Sequence, residues 1–118
     1  MEPADIGQLV RAFADHRVTD SQVTSYCLHH ELQRDELFDA FSRYVAHGFA
    51  CGQLPYEECD AAMNRLITIA DYSVPKYTWN VFVAFDEGEY SHPGDGPDLD
   101  PVVAYTRPAI AEILTRGE

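Results

Sequence analysis

The fold class of this chain depends on Lys76-Tyr-Thr-Trp-Asn-Val-Phe-Val-Ala-Phe85. Its aromatic and β-branched side chains alternate as in a half-buried strand, yet several of them also fit one face of a helix. The flanking residues favour the helix, because Ser73 can act as its N-cap, Pro75 suits its first turn and Gly88 follows its end. The sequence offers no convincing second strand, and a lone strand is not stable. We therefore predict that this stretch is helical.

Helical patterns also occupy the chain before this stretch. Apolar residues from Ile6 to Phe13 recur at intervals of three and four, which predicts a first helix. Thr19 and Gln22 have the spacing of a capping box that opens a second helix. Asp35 can cap a third helix. Each of these three segments is expected to bury one apolar face.

Two further helices are expected around turns that contain glycine or proline. Gly52 favours a left-handed stop, and residues 55–72 then form a fourth helix, packed as an antiparallel hairpin with the third. The last helix is expected to begin at Pro101, after an acidic segment. Pro108 lies too deep for a first turn, so this helix either kinks there or restarts with Thr106 as its cap.

These elements predict an all-α fold, a compact single domain over residues 1–118 with five or six helices and an acidic Gly/Pro loop before the last helix. A chain of 118 residues is long enough to bury one core unaided. The predicted core takes apolar residues from most of the helices, namely Leu9, Phe13, Phe38, Phe41, Val45, Met63, Leu66, Ile67, Val81, Phe82, Phe85, Ile110 and Leu114.

The acidic loop is Asp86-Glu-Gly-Glu-Tyr-Ser-His-Pro-Gly-Asp-Gly-Pro-Asp-Leu-Asp100, which holds six acids and neither Lys nor Arg. Like charges crowded on a loop repel one another and stabilise nothing internal, so the simplest reason to keep them is a basic partner protein. The alternative is a solvated loop that only increases solubility. The candidate partner-binding residues are Asp86, Glu87, Glu89, Tyr90, Asp95, Asp98 and Asp100.

Tyr90 differs from the acids of this loop because it is aromatic. Tyrosine is enriched at protein interfaces and often supplies a buried anchor, so we expect Tyr90 to contact the partner. The alternative is that its ring folds back onto the core and fixes the loop. If the loop does not bind, the next candidate is the start of the fourth helix, where Tyr56, Glu57, Glu58 and Asp60 lie together.

Composition disfavours several classes of function. The formal net charge of −12 opposes direct binding to nucleic acids and to anionic membrane surfaces, because both are polyanions. No apolar run approaches the roughly 18 residues of a membrane span. The N-terminus, Met1-Glu-Pro-Ala-Asp5, lacks the basic and apolar segments of a secretory signal, so we expect a cytoplasmic protein.

No motif for a metal, a cofactor or catalysis is recognisable. The three cysteines form no CxxC pair, and His47 with Cys51 supplies only one of the two ligand pairs of a typical zinc site. The acidic loop lacks the ligand spacing of an EF-hand. A thiol such as Cys27 beside His29 would need an electropositive surrounding to become a nucleophile, and this chain is strongly acidic. We therefore expect no metal, no cofactor and no enzymatic activity.

The chain resembles the small cytoplasmic immunity proteins of bacterial toxin systems in its size, its acidic balance and its helical pattern. The segments Phe85-Asp-Glu-Gly-Glu-Tyr90 and Tyr105-Thr-Arg-Pro-Ala-Ile110 share this likeness, which is one of general character across the chain. The resemblance implies a protein that binds one cognate toxin domain tightly and blocks its active site or substrate groove. Many such toxins are nucleases, whose basic catalytic faces would match an acidic inhibitor.

A second resemblance is to the DNA-mimic anti-restriction and anti-CRISPR proteins of phages and plasmids. It is carried by Ile69-Ala-Asp-Tyr-Ser-Val-Pro-Lys-Tyr77 and by Phe82. Such mimics spread acids densely along whole helices. Here the first helix has only Asp5 and Asp15, offset by two arginines, and the acids concentrate in one loop. The hypothesis of a protein inhibitor with a basic partner therefore comes first.

Overall fold

The structure, a computed structural model, describes residues 3–117 and the side chains of residues 5–117. Within these residues the chain is all helical, with no strand, so the predicted fold class is confirmed. Residues 1–2, which belong to the acidic N-terminus considered above, lie outside the described residues, as does residue 118. The α-helices are α1 (Pro3–Ala14), α2 (Asp20–His29), α3 (Arg34–Ala50), α4 (Tyr56–Ile69), α5 (Lys76–Asp86) and α6 (Arg107–Arg116).

Helix α5 contains the stretch that decided the fold class. Its inner face buries Val81 and Phe85, whereas Val83 is only partly buried. A strand would have placed all three side chains on one face, because side chains alternate along a strand. The N-cap is Pro75, whose backbone is extended (ψ 157°), and not Ser73 as predicted. A proline suits this position because its missing N–H removes a donor that the first turn cannot satisfy.

The predicted N-terminal cap of α2 is confirmed, whereas the predicted cap of α3 is wrong. At the start of α2, the Gln22 N–H donates to Thr19 Oγ1 at 3.3 Å and the Thr19 N–H donates to Gln22 Oε1 at 2.8 Å. At the start of α3, the predicted cap Asp35 lies in the first turn. Gln33 is the N-cap instead, because its N–H donates to Glu36 Oε1 at 3.0 Å.

The corner between α3 and α4 is tight, as predicted. The N–H groups of Gln53 and Leu54 both donate to the Gly48 carbonyl, at 2.9 and 3.0 Å, and Gly52 is left-handed with φ 82°. Helix α4 nevertheless makes its most extensive contacts with α1 and α5, and fewer with α3. It ends three residues before the predicted end at Tyr72, because the backbone there turns left-handed.

A wide turn leads into α6. Val102–Thr106 is π-helical, and the Arg107 N–H donates to the carbonyl of Val102, five residues back. This wide turn accommodates Pro108, which has no N–H and whose ring would collide with the preceding turn of a regular α-helix. Thr106 therefore lies inside a continuous helical segment. Of the two predicted alternatives, the one in which the helix restarts with Thr106 as its cap is wrong.

The core agrees with its prediction except at two positions. Every predicted core residue is buried apart from Phe82 and Leu114, which are partly buried and pack against the core. Aromatic rings connect the helices within it, with centroids 5.1 Å apart for Phe49 of α3 and Phe85 of α5. The end of α5 is thereby packed on the same core that holds α4, and this arrangement positions the site described next.

Candidate functional site

The surface between α4 and the end of α5 contains an open cleft of about 860 Å³, which we call the acidic cleft. Its walls come from α4, from the 3₁₀ turn Glu87–Glu89 that follows α5, and from the loop before α6. Neither Lys nor Arg lines it among the described residues. Its polar lining consists of His16, Tyr56, Glu57, Asp60, Asn64, Glu89 and Asp100. Acids of the predicted loop thus share one cleft with acids from the start of α4.

Two hydroxyl groups hold the end of α5 in place. The last carbonyls of a helix have no partner within the helix and need one from elsewhere. The Tyr56 hydroxyl of α4 donates to the Phe85 carbonyl at 2.6 Å, and the Thr106 hydroxyl donates to the Ala84 carbonyl at 2.7 Å. Thr106 is fully buried. These bonds fix the 3₁₀ turn, with its acids, between α4 and the π-helical segment.

Gly88 of this turn lies where the three elements meet. A Cβ at this position would collide with Thr106 Oγ1 and would lie 3.0 Å from the Tyr56 hydroxyl oxygen. A glycine therefore lets the turn approach both hydroxyl groups while they remain bonded to α5.

Gly88→Ala is expected to lower the free energy of unfolding by about 1–3 kcal/mol, because the added methyl must displace Thr106 or Tyr56 from its carbonyl acceptor. Gly96→Ala is the matched control, since nothing lies within 4 Å of a Cβ there. Its effect should be about 0.5 kcal/mol or less. Urea unfolding followed by circular dichroism measures both variants. Equal stabilities would show that the turn moves aside without cost.

Three carboxyl groups, which we call the carboxyl cluster, lie close enough to influence one another: Asp60 of α4, Asp86 of α5 and Glu89 of the 3₁₀ turn. Of these, Asp60 and Glu89 line the acidic cleft. The charge of Glu89 acts on both aspartates. Asn64 Nδ2 also donates to Glu89 Oε2, at 3.5 Å. In the described part of the chain, none of the three acids takes part in an ion pair.

Burial and mutual repulsion change the acidity of this cluster. Burial, followed by the charge of Glu89, raises the pKa of the Asp60 carboxyl to about 7. The same two causes raise the pKa of Asp86. Burial, with Asp60 as the nearest acidic influence, also raises the pKa of the Tyr56 phenol, which therefore stays a hydrogen-bond donor. At neutral pH the cluster holds like charges together at a cost to the folded protein.

Stability is expected to fall as the pH rises through the pKa of Asp60. The folded protein binds this proton more tightly than the unfolded chain does, so the contribution is complete at low pH and is lost near pH 7. Between about pH 5.5 and pH 8 the loss should be about 1–2 kcal/mol, a value reduced for the partial exposure of the group. Urea unfolding at both pH values measures it.

Asp60→Asn should flatten this pH dependence and stabilise the protein at pH 8, because the amide carries no charge. Asp98→Asn is the control, since it removes the same charge from an exposed position of the loop. An Asp60→Asn variant with the same pH slope as the parent would contradict the assigned role of the cluster.

Besides Glu89, two further acids of the predicted loop bond within the protein, which corrects the expectation that the loop acids stabilise nothing internal. Asp95 accepts a hydrogen bond from the Tyr105 hydroxyl at 2.6 Å and another from the His92 N–H at 2.8 Å. The bond from Tyr105 is the main reason that the pKa of Asp95 is lowered. Asp100 Oδ1 accepts from the Val102 N–H at 3.0 Å and opens the helical segment that follows. Short loops need such bonds to fix their shape.

Tyr90 is half exposed, and its ring lies 4.9 Å from that of His92. The imidazole in turn lies 4.1 Å from the Tyr105 ring, and its Nε2 lies 3.2 Å from the Glu87 carbonyl oxygen. Tyr90 is therefore supported from one side and free on the other, outside the buried core. Asp98 is exposed on the same loop.

The predicted site residues thus divide into four groups. Asp86 and Glu89 belong to the carboxyl cluster, and Glu89 and Asp100 line the acidic cleft. Asp95 supports the loop. Tyr90 and Asp98 are exposed beside the cleft, whereas Glu87 is partly buried in the 3₁₀ turn.

Sequence reasoning offered Asp60 only as part of an alternative interface, and it did not connect His16 or Asn64 with the loop. Glu58, another member of that alternative, lies outside the cleft lining and pairs with Arg11 at 3.7 Å. No local signal could have joined these residues, because they come together only when α1, α4 and α5 pack.

Two of the three cysteine thiols, those of Cys27 and Cys59, are buried and poorly suited to act as nucleophiles. Burial raises the pKa of the Cys59 thiol to about 12 and also raises the pKa of Cys27, so both stay protonated at neutral pH. Within the described residues, no group of three or more His, Cys, Asp or Glu side chains is arranged to hold a metal ion. No helix in the same part of the chain has both the length and the apolar character of a membrane span.

Comparison with known proteins gives no match for this chain, whether with family models, with curated proteins or with solved structures.

Proposed function

We propose that this protein is a cytoplasmic inhibitor that binds a basic partner protein through the acidic cleft, as an immunity protein binds its cognate toxin domain. The carboxyl cluster is the observation that carries the proposal. Asp60, Asp86 and Glu89 come from three different elements, influence one another electrostatically and have no ion-pair partner among the described residues. A Lys or Arg side chain from a partner would supply that cation.

The energetics of the cleft support this partner chemistry. The free protein keeps like charges close together, and that repulsion is relieved when a cation enters. A guanidinium group can bond two carboxylates at once, so Arg suits the spacing of acids contributed by neighbouring elements. The proton held by the cluster would be released on binding, because a nearby cation stabilises the charged carboxylate.

The surroundings of the cleft resemble the rim of a protein interface. Tyr90 is exposed beside the acids and stands on His92, so it can cover a partner's surface without first leaving the core. Asp98 adds charge at the edge, which would accelerate association and make it depend on salt. An enzyme whose substrate is a nucleic acid presents a basic face of the kind that this acidic surface would cover.

Four acids, Glu57, Asp60, Glu89 and Asp100, line one cleft, which favours a protein inhibitor over a DNA mimic. A mimic would need acids in long rows with phosphate-like spacing. On α1, by contrast, the exposed Arg11 pairs with Glu58 at 3.7 Å. The mimic remains the alternative outcome of the experiment, and competition by duplex DNA for the partner would identify it.

The proposal is tested with the product of the neighbouring gene, because toxin and immunity genes are encoded side by side. The two proteins are co-expressed, purified and titrated by calorimetry, and growth is compared with and without the present chain. We expect a tight one-to-one complex and rescue of growth. A neighbouring product that neither binds nor inhibits growth would contradict the toxin–immunity assignment.

A further inference from the structure

A second exposed surface lies at the far end of the α4–α5 pair from the acidic cleft. Tyr72, Val74, Lys76 and Trp79 surround an open groove of about 470 Å³, and we call this surface the aromatic face. Tyr72 is 66% exposed and Trp79 is 40% exposed, so two large aromatic side chains of this groove are partly in water. Neither ring takes part in the acidic cleft.

The backbone presents the Tyr72 ring at a cost. Asp71 and Tyr72 are both left-handed, with φ 53° and 64°, a conformation that is unfavourable for a bulky side chain. The turn is closed by the Tyr72 N–H, which donates to the Ile67 carbonyl at 3.1 Å. Trp79 is supported on one side by Phe82, with ring centroids 5.3 Å apart. The monomer gains little burial from Tyr72 in return, so an occupant of the groove would supply the missing contact.

The stretch of chain that forms this face carries one acid and one base, whereas the whole molecule is strongly acidic. Asp71 also lines a neighbouring groove, beside Asp35 and the paired Asp20 and Arg34. From Leu66 to Phe85 the only charged residues are Asp71 and Lys76, although the whole chain has a net charge of −12. Both are exposed, and neither makes an ion pair within the described residues. A neutral face with one acid and one base is complementary to a second copy of itself, because a two-fold axis brings each residue opposite the other.

We propose that two copies of this chain associate through the aromatic face, with Tyr72 and Trp79 packed across a two-fold axis and Lys76 of each copy paired with Asp71 of the other. A strongly acidic chain can approach its own copy most easily where acids are few. Because this stretch carries only one acid and one base, it does not attract a basic protein as the acidic cleft does. The dimer would leave the acidic cleft at the opposite end of α4 and α5 free for its partner.

Salt distinguishes the two surfaces. The net charges of two copies repel one another, and salt screens that repulsion, so dimerisation should strengthen between about 0.05 M and about 0.5 M NaCl. Binding of a basic partner at the acidic cleft should weaken over the same range.

The experiment is sedimentation equilibrium on the full chain at both salt concentrations. A concentration-dependent equilibrium of monomer and dimer is expected for the parent. Tyr72→Asn should raise the dissociation constant about 30-fold, because it removes a central ring while Asn tolerates the left-handed backbone. Trp79→Ser should act in the same direction. Leu28→Ser is the control, since Leu28 is 76% exposed on α2 and should leave the constant unchanged.

A charge exchange tests the proposed pairing itself. Lys76→Asp should weaken the dimer, and the double variant Asp71→Lys/Lys76→Asp should restore it, because the pair is then re-formed with its signs reversed. Circular dichroism confirms that each variant is folded. A parent that stays monomeric up to about 1 mM protein overturns the proposal, as does a dimer that Tyr72→Asn and Trp79→Ser leave intact. Either result leaves the acidic cleft untouched, since its variants are measured separately against the basic partner.

Discussion

Replacing Asp60 with Asn and Glu89 with Gln together is expected to weaken binding of the basic partner by about 100-fold or more. These two acids come from different elements and meet at the acidic cleft, where a partner cation would be enclosed between them. Removing both leaves that cation without its counter-charge, which costs about 2–5 kcal/mol. The double variant should fold at least as well as the parent, because a repulsion has been removed.

The matched control removes two charges elsewhere on the surface. Asp98→Asn with Glu31→Gln removes as many negative charges as the double variant of the cleft, and both residues are exposed. This control should mainly slow association, with a change in affinity of about threefold or less, because charges at the rim or outside the cleft steer encounter and contribute little to the bound state. Titration calorimetry at low and high salt separates the two cases. Similar losses of affinity in both double variants would show that the cleft acids contribute no more to binding than other acids on the surface.

Affinity and stability should respond to pH in opposite directions. The partner's cation favours the charged form of Asp60. Affinity should therefore rise as the pH increases through about 7, because Asp60 has then lost its proton before the partner binds. The free energy of unfolding of the free protein falls over the same interval for the same reason. Calorimetry in buffers of different ionisation enthalpy would count the protons released on binding at lower pH.

Local patterns in the sequence were sufficient to predict the helices and much of the core. The apolar stripe of α1, the box at Thr19 and the corner at Gly52 depend on residues within one or two turns, and they are present as predicted. The α5 stretch was ambiguous only because its side chains fit both the helical and the strand periodicity. Its flanking residues resolved that ambiguity, although the cap itself proved to be Pro75.

The site could be predicted only in part, because its decisive contacts join residues far apart in the chain. The bond from Tyr56 to the Phe85 carbonyl spans 29 residues, and the bond from Thr106 to the Ala84 carbonyl spans 22. Both fix the acids of the 3₁₀ turn against α4. Charge density alone also could not reveal that Asp95 serves the loop itself. Its role depends on the position of Tyr105, which the π-helical segment determines.

Phe85→Ala is expected to lower the free energy of unfolding by about 3–5 kcal/mol. Phe85 is fully buried, and its ring lies 5.1 Å from that of Phe49 and 5.9 Å from that of Tyr56. Its removal leaves a cavity that helices from three sides cannot readily fill. Phe82→Ala is the matched control, because the same atoms are removed from a partly buried position of α5. Its cost should be about 1–2 kcal/mol, and urea unfolding measures both variants.

The same pair of variants tests whether the core positions the acidic cleft. Phe85 supports the Tyr56 ring, and the Tyr56 hydroxyl bonds to the Phe85 carbonyl at 2.6 Å, so loss of the side chain should loosen the 3₁₀ turn that carries Glu89. Under conditions where both variants are fully folded, Phe85→Ala should weaken partner binding about tenfold, whereas Phe82→Ala should leave it near the parent value. Equal affinities would mean that the carboxyl cluster keeps its shape without the aromatic packing beneath it. The hydrogen bonds from Tyr56 and Thr106 would then be sufficient to hold the site.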